Sequence, residues 1–550
     1  MTLPAYQTGM AWSANLVTTN DGVYQYAVWV DRNWELKVGR IQRGVQRWGV
    51  DHVEFSIGEP ARTVMNMPAD DDNHNWYALL PMSNGKLDLW GNMHLNLMRY
   101  IFCNDPLGAL GTWAKAGMPT GVAGGYDAVY PRNTYPMPVV LLNGEALFLM
   151  RAGDANTASG RANVTAWRTT AAAWATAPTL LFQGVPNGDT NPNPSGSCVE
   201  NYSCYVEKPY VEGLRERNPG RVHLAWVWRD QAFGAGGCVK ESYAYSDDNG
   251  VSWQAITGEF LTLPISPWNQ PGTNNLKCQI GLGTRDAGNV RLSREVNDLV
   301  CTTGTNIVTS VAANFTAADR GQVIRATRLP VDAVNPQVVI WAVGPGGGLL
   351  ANQASVGLPD LVTPVNAIAA VNNSTPATRA AIGCDWINGG SICVDDQGFP
   401  HYVLGWNTTG PVQGGKRELA WNGSAWTSTV IQFTYGGFTM RGRNQAVWFK
   451  GALWLLAVGD PQAAPIPNPT NIPNVWRTPR LWNTATGASV VMGARVPIAS
   501  FNPDAHQGGV FGWIDTPFDM VAWRLFGSIE HLTITEDDQP MVVGVMGATA

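Results

Sequence analysis

Short runs of apolar and aromatic residues alternate with tight polar turns along the whole chain. A typical unit is Trp76-Tyr77-Ala78-Leu79-Leu80-Pro81, a turn at Asn84-Gly85, and Leu87-Asp88-Leu89-Trp90. Asn-Gly between two apolar runs is the strongest short-range signal of a β-hairpin, because both turn residues must accept positive φ. The pattern occurs seven times. Its turns fall at Asp31-Arg32-Asn33, Asn84-Gly85, Asn143-Gly144, Asn218-Pro219-Gly220, Gln397-Gly398, Lys450-Gly451 and Asp537-Asp538-Gln539. Most are separated by roughly 50 to 90 residues, enough for one four-stranded unit with variable loops. No long stretch carries apolar residues at helical spacing.

One interval breaks the rhythm. Gly220 to Gln397 is about twice as long as the others, and a block from about Val296 to Ala381, poor in Trp and rich in Val, Thr, Ala and Asn, accounts for the excess. The expected fold is therefore all-β: a seven-bladed β-propeller with an inserted small β-rich domain. Residues 1–295 supply the first blades (blades 1–4), 296–381 the insert, and 382–550 the remaining blades, which close the ring with the N-terminus.

Composition narrows the function classes. Sixty Gly, 36 Pro and 24 Trp against 14% charged residues fit short strands, turns and aromatic packing. A net charge of −6 with no basic stripe argues against nucleic acid. No apolar run is long enough to span a bilayer, so membrane insertion is not expected. Residues 1–20 lack a basic start followed by an apolar stretch, so no secretory signal peptide is expected. The eight cysteines contain no CxxC pair, which disfavours a zinc ribbon. No cofactor is required, although a structural metal ion has room in such a fold.

Candidate chemistry comes from hairpin facing. Residues equidistant from a turn are cross-strand neighbours. The Asn84-Gly85 turn sets His74 opposite Leu95, beside His94. The Asn143-Gly144 turn sets Tyr135 opposite Ala152, beside Arg151. The turn at Pro219-Gly220 sets Tyr210 against Arg229, and Lys450-Gly451 sets Arg441 against Asp460 with Arg443 nearby. In the first hairpin Tyr24 approaches Arg40, as an ordinary cross-strand pair. A propeller would gather these positions at one mouth of its central channel.

At these residues the chain resembles the BNR-repeat propellers that include the ulvan lyases. The likeness rests on Asp72-Asn73-His74-Asn75, Gly91-Asn92-Met93-His94 with Tyr100, Thr134-Tyr135-Pro136, Phe148-Leu149-Met150-Arg151-Ala152-Gly153 and Val222-His223-Leu224-Ala225-Trp226-Val227-Trp228-Arg229. Ser246-Asp247-Asp248-Asn249-Gly250-Val251-Ser252-Trp253 fits the Asp box of such propellers, a structural turn. The resemblance implies β-elimination at a uronic acid. Tyr135 would be the base, alone or with His74, Arg151 would neutralise the carboxylate, and His94 would orient its neighbour or donate to the leaving oxygen. Asn75, Tyr210, Arg229 and Arg443 would bind substrate, and no catalytic metal is implied. Asp154 departs from the lyase pattern and would repel an anionic sugar, which favours a pure binding surface as the other reading.

Within the insert, Val311 to Ile324 resembles small β-modules of bacteriophage tail and tailspike proteins. The function expected from both likenesses is a phage tail protein, located in the virion and released by host lysis. It would bind a bacterial surface polysaccharide, as a homo-oligomer among other tail proteins, with cleavage by elimination and binding alone both left open. A free polysaccharide lyase is the alternative. A sialidase-like hydrolase, with Arg151, Arg229 and Arg443 as the arginine cluster and Glu207 near Tyr210, is a further one.

Overall fold

A computed structural model describes residues 16–547 with interruptions at turns and connections. The longest of these are 68–76, 154–161, 184–198, 208–220, 266–277, 281–293, 313–322, 327–337, 354–377 and 462–474. Among the described residues the strands form seven open antiparallel sheets and one closed barrel. Only two short helices are named among them, Glu59–Thr63 and Tyr126–Val129.

The first strands of the seven sheets are Leu16–Thr18, Tyr77–Pro81, Arg132–Val140, Val199–Glu207, Trp386–Val394, Phe438–Phe449 and His506–Phe511. Each touches the first strand of the next sheet, and His506–Phe511 touches Leu16–Thr18, so the series closes on itself. Sheets joined edge-inward in a closed ring are a β-propeller, in which radial repetition leaves only short outer edges.

The burial pattern explains why the strands read as nearly continuous apolar runs. Where burial is described, from the second sheet to the fifth, a sheet is covered on both faces, so alternate residues of one strand enter two different cores. In Ala146–Gly153, Leu147 and Leu149 pack with Leu224 and Trp226 of the fourth sheet. Phe148, Met150 and Ala152 pack instead with Leu80, Trp90 and Tyr100 of the second. Leu79 and Leu89 fill the core shared with Val28 and Val38 of the first sheet. Tyr243 with Tyr402, and Val403 with Leu455, continue the series around the ring. Trp90 lies between Tyr100 and Phe148, its ring centroid 4.7 Å and 4.9 Å from theirs.

The closed barrel runs from Arg294–Cys301 to Thr378–Gly383 and interrupts the chain between the fourth and fifth sheets. Those two strands are antiparallel neighbours with Arg294 opposite Ile382, so the chain enters and leaves the barrel at adjacent points. The fourth and fifth sheets touch each other directly without it.

The Asp box forms the structural turn its sequence implies. Ser246 Oγ donates to Asp248 Oδ1 (2.7 Å) and accepts from the Gly250 N–H (2.7 Å). Asp248 accepts from the Ser252 N–H and hydroxyl at 2.8 Å and 2.6 Å. Burial opposes ionisation of Asp248, but the bonds from Ser252 and Ser246 outweigh it and hold the carboxyl below its usual range. Trp253 then turns into the core between the third and fourth sheets.

The seven sequence turns are not equivalent. Asp31-Arg32-Asn33 falls between the second and third strands of its sheet, Tyr24–Val30 and Leu36–Gln42, and Asp537-Asp538-Gln539 between the third and fourth, Ser528–Ile534 and Pro540–Gly547. The other five follow the first strand. Tyr24 and Arg40 therefore lie at the opposite strand ends from the pairs near Arg151. Arg40 packs over the Tyr24 ring at 5.6 Å and donates to the carbonyls of Pro106 and Leu107, which is a structural role.

Candidate functional site

The site is built where the second sheet reaches across to the third. After Leu87–Gly91 the chain does not continue the hairpin. Asn92 takes a left-handed conformation (φ 53°) that Asn tolerates better than bulkier residues. Its buried amide donates to the carbonyls of Met65 (2.7 Å) and Asn66 (3.2 Å), while Arg99 donates to the Asn92 carbonyl. Met93 and Met98 are buried in the core between the two sheets. Between them His94–Asn96 forms a three-residue rim strand, with His94 half-buried and Leu95 and Asn96 exposed.

This rim strand pairs not with its own sheet but with Arg132–Val140, on the side facing away from Ala146–Gly153. His94 lies opposite Thr134, and Thr134 lies opposite Arg151. Directly opposed residues share a face of a sheet, so His94, Thr134 and Arg151 form one row across three adjacent strands. Arg151 is 7% exposed and Thr134 1%. The row sits at the start of the inner strand, at one mouth of the ring.

Tyr135 occupies a β-bulge. Pairing runs Asn133 to Ala152 and Thr134 to Arg151, then resumes at Met137 with Leu149, so two residues on one strand, Tyr135 and Pro136, oppose a single residue, Met150. Pro136 cannot donate to a ladder, which makes a bulge its natural place. Bulges bend a strand and re-aim its residues, and they gather beside functional sites. The same device appears in the first strands of three further sheets, after Asn201, after Asn388 and after Arg441.

These facts correct the hairpin reading in four places. His94 is not opposite the strand that follows His74; it lies on the separate rim strand. Tyr135 does not face Ala152, which pairs with Asn133: the hairpin already runs one residue out of the expected register beside its turn, and the bulge takes up a second. Arg229 faces Glu200 rather than Tyr210, since Val199–Glu207 ends well before the expected turn. Asp460 faces Thr439 and Arg441 faces Val458, because the bulge that contains Arg443 shifts their register. Glu207 is opposite His223, at the far end of its strand from the Glu200–Arg229 pair, which separates the elements of a sialidase-like set.

The structure thus brings together His94, Arg151 and the backbone of Tyr135. Arg229 and Arg443 are placed in their strands by backbone register alone. His74, Asn75, Tyr210 and Asp154 lie outside the described residues. Two of the residues that carried the family resemblance are core residues instead. Tyr100 is buried and donates to Asp88 Oδ2 at 2.8 Å. His223 is buried with its Nδ1 2.7 Å from the Tyr243 hydroxyl, and burial, aided by Arg221, drives its pKa down to about 3.

Sequence reasoning missed Asn133 and gave Thr134 no role beyond the family likeness; the two link rim strand to sheet. It also missed a buried charge cluster away from the mouth: His401 contacts Glu418 Oε1 at 2.6 Å and Asp395 Oδ2 at 3.5 Å. Burial pulls the imidazole down, but the two carboxylates outweigh it and raise its pKa to about 9. A His beside the turn Asp395-Asp396-Gln397-Gly398 was the available signal for this cluster.

Among known proteins, residues 24–291 match the profile of a BNR repeat-containing family member. In structure the chain is similar to a polysaccharide lyase described as an ulvan lyase of a new family. They share 11% sequence identity and a TM-score of 0.52, over 97% of this chain and 95% of that one. The same values hold for that lyase bound to a glucuronate-(1-4)-rhamnose-3-sulfate unit. At this identity the likeness establishes the propeller fold. No curated protein matches the sequence.

Proposed function

We propose that the chain binds a uronate-containing polysaccharide at the His94–Thr134–Arg151 mouth and cleaves it by β-elimination. The observation that carries this reading is the row itself. It places an imidazole and a guanidinium on one face of three adjacent strands, next to a bulge that holds Tyr135. The fold shared with a polysaccharide lyase supports it.

Chemically, Arg151 pairs with the uronate carboxylate, which makes the C5 proton more acidic. Tyr135, or His74 in the same role, takes that proton; the C5–H electron pair becomes the C4=C5 double bond as the C4–O bond breaks. His94 delivers a proton to the departing oxygen. The test is the ultraviolet absorbance of the unsaturated uronate when purified protein meets a panel of uronic-acid polymers. Binding to those polymers with no absorbance from any of them would leave a carbohydrate-binding surface and remove the lyase.

As the setting we propose a bacteriophage tail, where multimers attach to a bacterial surface glycan among other tail proteins. Support comes from the resemblance of Val311 to Ile324 to tail and tailspike modules. Repeated copies would convert weak sugar binding into firm attachment. Mass spectrometry of purified particles tests this; particles that lack the chain would leave a free lyase.

A further inference from the structure

We infer that Thr134 and Asn133 are positioning residues that hold His94 in line with Arg151 without touching the reacting sugar. The inference rests on the lyase reading above and concerns how its constellation is kept in place.

The rim strand's ladder pairing is slight, although Met93 and Met98 anchor its two ends in the core. It is three residues long, and only Asn96 and His94 have partners on the neighbouring strand, with a register shift between them. Its central residue, Leu95, is left-handed (φ 56°), a conformation disfavoured for a bulky L-residue and kept only where the surroundings impose it. Two side chains of the next sheet impose it. Thr134 Oγ1 accepts the Leu95 N–H at 2.9 Å. Asn133 Nδ2 donates to the Asn96 carbonyl at 3.2 Å and to the Tyr130 carbonyl at 2.8 Å. The Tyr126 hydroxyl in turn donates to Asn133 Oδ1 at 3.1 Å.

The rim strand is therefore gripped at consecutive backbone groups, Leu95 N–H and Asn96 C=O, by consecutive residues of the strand beneath. Asn133 is 0% and Thr134 1% exposed, so neither reaches a bound polymer. Their hydrogen bonds run to the backbone of the two residues that follow His94, and the next residue along their own strand is Tyr135. One dipeptide thus links the imidazole-bearing strand to the bulge and, through Thr134, to the row of Arg151. Misplacing a catalytic group by about 1 Å costs as much as 100-fold in rate, so such a link controls turnover more than affinity.

Thr134→Val keeps the branched shape and removes the acceptor; Thr134→Ser keeps the acceptor. On a uronate polymer that the wild type cleaves, Thr134→Val is expected to lower kcat about 10- to 100-fold with KM nearly unchanged, and Thr134→Ser to restore it. In parallel, NMR of Thr134→Val should show shifted His94 ring signals and faster exchange of the Leu95 amide. If Thr134→Val fails to fold, Thr134→Ala, which adds no volume, carries the same expectations. Wild-type kcat with unmoved His94 signals in either folded variant overturns the inference. If the wild type cleaves none of the polymers, the lyase reading has failed, and the His94 and Leu95 signals alone decide the positioning role.

Discussion

At Arg151 the surroundings set what the side chain can do. A nearly buried guanidinium on the row that carries His94 would meet the proposed uronate with little competition from water, where its bidentate geometry is most effective. Arg151→Ala is expected to weaken uronate binding and turnover together, as read by calorimetry and initial rates; unchanged affinity would count against the carboxylate clamp. Tyr135→Phe removes only a hydroxyl. It is expected to abolish elimination while leaving the thermal midpoint and glycan binding nearly intact, and residual turnover at the wild-type rate would exclude Tyr135 as the base.

His401 makes a prediction of a different kind. Its pKa rises from 6.5 to about 9 on folding, so it binds its proton more tightly in the folded chain. The stability this confers is fully present below about pH 6.5 and is lost as pH climbs through about 9, a difference of about 3 kcal/mol. Denaturant midpoints of the wild type should fall across that window. Those of His401→Gln should be lower at pH 6.5 and nearly flat; a variant with the wild-type slope would assign the dependence elsewhere. The sequence carried only part of this, a His beside a turn that holds Asp395, because the second carboxylate, Glu418, is brought to it by strand pairing alone.

For single elements, the hairpins were legible and their registers were not. Asn-Gly and Lys-Gly fix where a chain reverses, since few other residues take positive φ, and the strands on either side follow by alternation. A bulge leaves no such mark. One extra residue at Tyr135-Pro136, or two near Arg443, moves every pairing beyond it, and the rim strand is too short for any periodicity to reveal. Pro136 was the only written hint. The Asp box is the opposite case, because its residues specify their own bonds. Gly250 adopts φ +88°, and a Cβ there would come within 2.8 Å of a Leu147 methyl. Gly250→Ala is expected to cost about 1–3 kcal/mol. Calorimetric unfolding measures it, and an unchanged midpoint would mean that the turn is not under strain.

Across the whole molecule, ring closure and barrel are separable. The ring closes through neighbouring first strands, and the barrel satisfies its own strand edges. The all-β propeller class could be read from aromatic hairpins at blade-like spacing, since a strand buried on both faces must be apolar throughout. Arg294 lies opposite Ile382, so a short linker can join the flanking chain. A protein with residues 294–383 replaced in this way is expected to unfold in one cooperative transition near the parent's and to keep any polymer cleavage. Loss of the folded ring would show that the barrel braces it.

The rim strand ties competence to order of assembly. His94 is encoded with the second sheet but is seated on the third, so neither half of that pair carries the proposed site alone. During refolding, signals from buried Trp90 should recover no later than any polymer cleavage, and a nick in the connection between Gly91 and Tyr100 should abolish that cleavage while leaving the propeller standing.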